Sequence, residues 1–208
     1  MRCGSLLAMS IALGCITPAW ADDMETLAPA LTQLRDHNYR QAIDMITPLA
    51  EAGNPTAEMM LGTIYGGGFG YKSANVADGF KWTKRAADHG LMEAQSSIGD
   101  AYYFGRGVEK NGAEAVKWYQ RSAGQAFPPA QAALGMIYVL GTDVPQDFIQ
   151  AYMWNLLAQQ NAAVHPEIRS RLVDAVGPTL AQMREHMSAE EIAKAEGLAK
   201  QWKPEVGR

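Results

Sequence analysis

Cysteine is nearly missing from this chain of 208 residues: Cys3 and Cys15 are the only two, both within the first fifteen positions. Beyond Cys15 the chain has no disulfide, thiolate nucleophile or cysteine metal site to offer. An excess of basic charge is missing too. Eighteen Lys and Arg stand against 22 Asp and Glu, a formal net charge of −4, so no basic field draws nucleic acid or an acidic membrane face. Catalytic signatures are equally scarce. There is no H-E-x-x-H, G-x-S-x-G or S-x-x-K, and His37, His89, His165 and His186 show no ligand spacing. With neither a nucleophile motif nor a ligand pattern, the chain is expected to be no enzyme, with no catalytic residue, metal or cofactor.

Long apolar runs are confined to the N-terminus. "LLAMSIALGCI" (6–16) follows Arg2 and spans 11 residues, short of the ~20 that cross a bilayer. Pro18 breaks it, and "AWA" (19–21) offers the small residues that a signal peptidase reads. Residues 1–21 are therefore expected to be a signal peptide, cleaved after Ala21 to leave a periplasmic or secreted protein without an integral membrane segment. "ALGC" (12–15) offers a rival reading, lipid attachment at Cys15; its Leu stands one position too close to the cysteine, and "AWA" is the better match.

What is present is repetition. "AEMMLGTIYGGG" from Ala57, "AQSSIGDAYYFG" from Ala94 and "AQAALGMIYVLG" from Ala130 write nearly one phrase three times. Gly62, Gly99 and Gly135 recur in register, as do Tyr65, Tyr102 and Tyr138, then Gly68, Gly105 and Gly141. Trp82, Trp118 and Trp154 mark a second block after each copy. Offsets of three and four place these residues on helical stripes, so each unit reads as two helices. A glycine inside a helix costs ~1 kcal/mol against alanine, which implies that Gly62, Gly99 and Gly135 let the paired helix approach closely. Gly68, Gly105 and Gly141 are expected to end the first helices in a left-handed conformation. Asn75 and Asn111 read as caps of the second helices. "GGGFGYKS" (66–73) aligns with the other turns and carries one extra residue; Tyr71 separates its last glycine from the lysine, unlike a phosphate-binding loop. The Trp stripe and the methionines are assigned to core packing.

The shared phrase, followed by "AVKWYQRSA" and "VPQDFIQAYMWNLLA", resembles the SEL-one-like repeat, a relative of the tetratricopeptide repeat. The resemblance implies an all-α fold, a right-handed superhelical solenoid of antiparallel helix pairs with a C-terminal capping helix. The units fall at about 55–91, 92–127 and 128–163, after a degenerate leading pair at 22–54. Residues 164–208 close the array: "PEIRSRLVDAV" ends at Gly177-Pro178, a further helix runs to about His186, and "SAEE" (188–191) caps a last one.

Such a stack is expected to line an inner groove with its first helices. Counted off from the packing positions, the groove set is Met59, Thr63, Ser96, Asp100, Tyr103, Ala132 and Met136, and it suits an extended or helical polypeptide. The expected function is an exported, non-catalytic scaffold or adaptor for a protein partner, in envelope assembly or signalling. Two alternatives stand beside it. One is a secreted hydrolase of the β-lactam-binding type, whose paired cysteines this chain lacks; the other is a secreted factor acting on another cell.

Overall fold

An asparagine or aspartate opens each second helix at one repeating position. The computed structural model describes residues 19–164 and 166–205, so the apolar run at 6–16 and His165 lie outside it. Among the described residues there are ten α-helices and no strand. They are α1 (Ala19–Arg35), α2 (Tyr39–Glu51), α3 (Pro55–Tyr65), α4 (Val76–Asp88), α5 (Met92–Phe104), α6 (Gly112–Gly124), α7 (Pro128–Leu140), α8 (Phe148–Asn161), α9 (Pro166–His186) and α10 (Ala189–Gln201). Asn75 accepts from the N–H groups of Ala77 and Asp78 ahead of α4, and Asn111 accepts from Glu114 at 3.0 Å ahead of α6. Asp147 does the same for Ile149 and Gln150 of α8, both at 2.9 Å. Each cap satisfies donors that the first helical turn leaves without partners.

Successive helices pack on one another from α1 to α8. Their shared interior is a stripe of small and branched residues: Ala57, Leu61 and Ile64, then Ala94 and Ile98, then Ala130, Leu134 and Ile137, all fully buried. Each Leu or Ile so buried contributes ~1.5–3 kcal/mol. The repeated glycines set how closely the two helices of a unit approach. A Cβ at Gly62 would overlap the Thr83 side chain, one at Gly135 would overlap Asn155, and one at Gly99 would stand 2.7 Å from the Tyr119 ring. Thr83, Tyr119 and Asn155 hold one repeat position, each directly after its Trp. Trp118 is buried, while Trp82 and Trp154 are half-buried; Arg85 lies 4.6 Å over the Trp82 ring and Arg121 4.4 Å over Trp118. Tyr65, Tyr102 and Tyr138 are half-buried beside the same core.

Two expectations need correction. Gly105 and Gly141 do end α5 and α7 in the left-handed region, at φ 69° and 63°, but Gly68 does not end α3. That helix stops at Tyr65, Gly67 takes the left-handed conformation (φ 92°), and Gly68 begins a single 3-10 turn. Three consecutive glycines, each a poor helix former, end the helix two residues early. Second, Gly177 and Pro178 do not divide the C-terminal segment, because α9 runs without a break through both. Val176, Leu180 and Met183 bury one face of α9 in a cluster with α8 and α10, and this packing outweighs the ~3 kcal/mol that an internal proline costs.

The last helix closes on the array. Ser188 and Glu191 form a reciprocal capping box at its start, and Ala195 and Ala199 are buried in the cluster shared with α8. Beyond it Trp202 meets Trp154 edge-on, with ring centres 6.4 Å apart. The Glu205 N–H then donates to the Gly124 carbonyl at the end of α6, at 2.7 Å.

Candidate functional site

Gly99 and Asp100 are neighbours on α5, and the space left by one supplies a partner for the other. With no side chain at Gly99, the Tyr119 ring of α6 slides beneath it, fully buried, and its hydroxyl donates to Asp100 Oδ1 at 2.6 Å. Burial, and next the hydrogen bond to Asp100, push the Tyr119 phenol far above its ordinary range, so it stays protonated and remains a donor. On the other side, Arg106 Nη2 stands 3.9 Å from Asp100 Oδ2. The Asp100 side chain is nearly half exposed, so its carboxylate, held by Tyr119 and paired with Arg106, still reaches solvent.

Asp100 forms part of the wall of a cleft of about 300 Å³ between α3, α4 and α5. Met59 and Thr63 of α3, Phe80 of α4, and Ser97 and Arg106 are among its other walls. The cleft has the size of one or two side chains. Its chemistry is one carboxylate and one guanidinium set in a largely apolar surface, which can orient a polar group beside an apolar anchor.

The structure therefore brings together Met59, Thr63 and Asp100 of the expected groove set. Ser96 is only 8% exposed and does not line the cleft; Ser97 stands there instead. Tyr103 also lies apart, packed against the α6–α7 core, edge-on to Phe104 at 4.9 Å and with Lys110 Nζ 5.6 Å from its ring. Three residues turn a helix through about 300°, leaving two side chains ~60° apart; that suffices for Asp100 to lean towards the preceding unit and Tyr103 towards the next. Ala132 is half-buried on α7, and Met136 is 43% exposed there, outside the cleft. Tyr119 and Arg106 escaped the sequence reading. Tyr119 differs from its counterparts Thr83 and Asn155, and that irregularity beside an invariant Trp position was the available signal. Among the described residues, no group of three or more His, Cys, Asp or Glu could hold a metal ion, and no helix is long and apolar enough to cross a membrane.

Antiparallel helix pairs stacked in sequence, with a cleft where one pair meets the first helix of the next, define a helical-repeat solenoid. The chain belongs to the Sel1 repeat family: the family model, Sel1 repeat, matches residues 55–91, 93–126 and 128–158. Solved structures agree. One is a protective antigen present in uropathogenic Escherichia coli strains, displaying an SLR fold, at a TM-score of 0.67 and 29% identity, covering 79% of this chain and 33% of that one. Another is a Sel1 repeat protein from Oxalobacter formigenes, at a TM-score of 0.59 and 28% identity, covering 65% of this chain and 55% of that one. This chain thus corresponds to about a third of the first protein and about half of the second. Among curated proteins none matches.

Proposed function

We propose that this protein is an exported, non-catalytic scaffold that holds a polypeptide partner at the cleft between α3, α4 and α5. Sel1 repeat proteins are typically protein–protein interaction scaffolds, which supports the general role. The observation that carries the specific reading is Asp100, held by a buried tyrosine, 3.9 Å from Arg106 and still nearly half exposed in a cleft of mixed polar and apolar walls. A side-chain amide or cation of the partner meets that carboxylate, while Met59 and Phe80 take an apolar neighbour. Met136, exposed on the first helix of the next unit, extends the contact along the array. The apolar N-terminal run and the "AWA" site support export to the periplasm or beyond the cell.

The test is crosslinked capture of the partner from the cell envelope. A folded Asp100→Ala variant should recover at least tenfold less, equivalent to ~1.4 kcal/mol. Tyr103→Ala, outside the cleft, should recover as the parent does. Undiminished recovery by Asp100→Ala would move the interface elsewhere. β-Lactam turnover by the purified protein, abolished by a single polar substitution, would replace the scaffold reading with the hydrolase one.

A further inference from the structure

The turn of the first unit builds a second concavity, separate from the cleft. One residue longer than its counterparts, it passes through three left-handed residues: Gly67 (φ 92°), Phe69 (φ 57°) and Gly70 (φ 79°). Glycine adopts this conformation freely, whereas a phenylalanine in it is strained. Burial does not offset that cost, because the Phe69 side chain is 49% exposed. A glycine at position 69 would relieve the strain and leave every core contact in place. A ring held outward at a strained position points to a use for the ring.

Phe69 is one wall of a pocket of about 450 Å³ whose other walls include His37, Tyr39, Tyr71 and Lys72. The tyrosines are braced from beneath. Tyr39 and Tyr71 have ring centres 5.3 Å apart, Tyr71 meets Tyr65 edge-on at 6.3 Å, and all three pack on the α1–α3 core. The loop is tied down as well. The Tyr39 hydroxyl donates to the Phe69 carbonyl, and His37 Nδ1 lies 2.7 Å from the same hydroxyl. A phenol has one proton, and here it is committed to Phe69, so the hydrogen on His37 Nδ1 must be the one donated to Tyr39. Walls fixed in advance lose little conformational freedom when a ligand arrives.

Lys72 decides the charge of that ligand. It is exposed at the pocket, and no carboxylate forms an ion pair with it among the described residues. An aromatic box with an ammonium on its rim repels a cation and favours a ring that carries an anion. We propose that this pocket binds an aromatic ring bearing a nearby carboxylate, the ring against Phe69 and Tyr71 and the carboxylate on Lys72 Nζ. The site does not depend on the Asp100 cleft. Two sources share its chemistry: a small carboxylic acid with an aromatic side group, and the C-terminal aromatic residue of a polypeptide.

Two-dimensional amide NMR of the whole chain tests this with three probes: N-acetyl-L-phenylalanine, its primary amide, and a pentapeptide ending in phenylalanine. The free acid and the pentapeptide should shift the amides of His37, Tyr39 and residues 69–73, and the amide probe should bind at least tenfold more weakly. Lys72→Met should weaken the acids tenfold and leave the amide probe unchanged. Phe69→Gly should abolish binding while its melting temperature holds or rises. Tighter binding of the pentapeptide than of N-acetyl-L-phenylalanine assigns a polypeptide source, and the reverse assigns a small acid. Equal binding of acid and amide, shifts confined to other residues, or no shift at millimolar probe would overturn the proposal.

Discussion

His89 Nδ1 lies 2.7 Å from Glu58 Oε2, joining the start of α3 to the end of α4. The next units hold Gln95 with Gln125 at 2.9 Å, and Gln131 with Asn161 at 3.0 Å, at the same two positions. Both glutamines also donate to the last turn of the preceding unit's helix, Gln95 to the Ala87 carbonyl and Gln131 to that of Ala123, each at 3.2 Å. Ionised Glu58 has no hydrogen to give. Arg85 replaces it: Nη2 donates to the Ala50 carbonyl at 2.9 Å, while Nε stands 2.9 Å from Glu58 Oε1 as an ion pair without the alignment of a hydrogen bond. One seam of the stack is therefore ionic where its equivalents are amides.

Glu58→Gln gives the first seam the pattern of the others. The variant leaves Arg85 without its counter-ion, but its new amide can donate to the Ala50 carbonyl as Gln95 does to that of Ala87, so its urea midpoint should fall less than that of Glu58→Ala. Glu58→Ala removes the partner of both Arg85 and His89 and should cost about 1–3 kcal/mol. Arg85 is 43% exposed and can turn to water, which keeps the loss below that of a sealed pair. A Glu58→Ala midpoint equal to the parent's would show that the carboxylate contributes nothing to the seam.

Gly99→Ala should destabilise the packing that holds Asp100 at the cleft. Its new carbon would meet the rigid Tyr119 ring, which has no flexible end to move aside, and overpacking of this kind costs ~1–3 kcal/mol. Tyr119→Phe keeps the packing and loses one bond to a carboxylate, about 1.5–3 kcal/mol at most. Partner recovery separates their effects. Tyr119→Phe leaves Asp100 in place without its buried donor, so weaker capture by a stably folded variant shows that carboxylate orientation matters.

The closing helix depends on its cap. Ser188→Ala should cost ~0.5–2 kcal/mol in thermal or urea unfolding, because the Glu191 N–H loses its acceptor. Hydrogen bonds from the Ser188 backbone, and next from its side chain, hold the Glu191 carboxyl below the ordinary value of 4.5. A lowered folded value means that this contribution is full above the unfolded value and fades as pH falls through the folded one. Glu191→Gln should flatten that acid-side decline. Deleting residues 188–208 should lower the melting temperature far more than either substitution, since it uncovers the buried face of α8. A truncated protein that melts like the parent would show that α10 is not docked.

Processing is tested by mass. The exported chain should begin at Asp22, and its intact mass should match cleavage after Ala21. A lipid-modified species beginning at Cys15 would overturn this and tie the protein to a membrane surface.

The repeat was legible in the sequence because its causes are local. Helical spacing places Ala94, Ile98 and Tyr102 on one stripe, Asn111 supplies a cap within its own turn, and glycine is the residue that admits a close neighbour or a left-handed ending. Local chemistry failed at two places: in the glycine-rich first turn, where the helix ended early, and at Pro178, where packing against α8 and α10 prevailed. The cleft was half legible. Counting along helices found Met59, Thr63 and Asp100, but the same counting included Ser96 and Tyr103, which lean into the core. It also missed Tyr119, which lies 19 residues from Asp100 and touches it only across a unit. The ionic seam, the return of Glu205 to Gly124 and the Tyr39–Phe69 tie join residues 27 or more positions apart in the chain. Only the tertiary structure decided them, because such contacts depend on which faces the stacked helices press together, and no periodicity along a single helix records its neighbour.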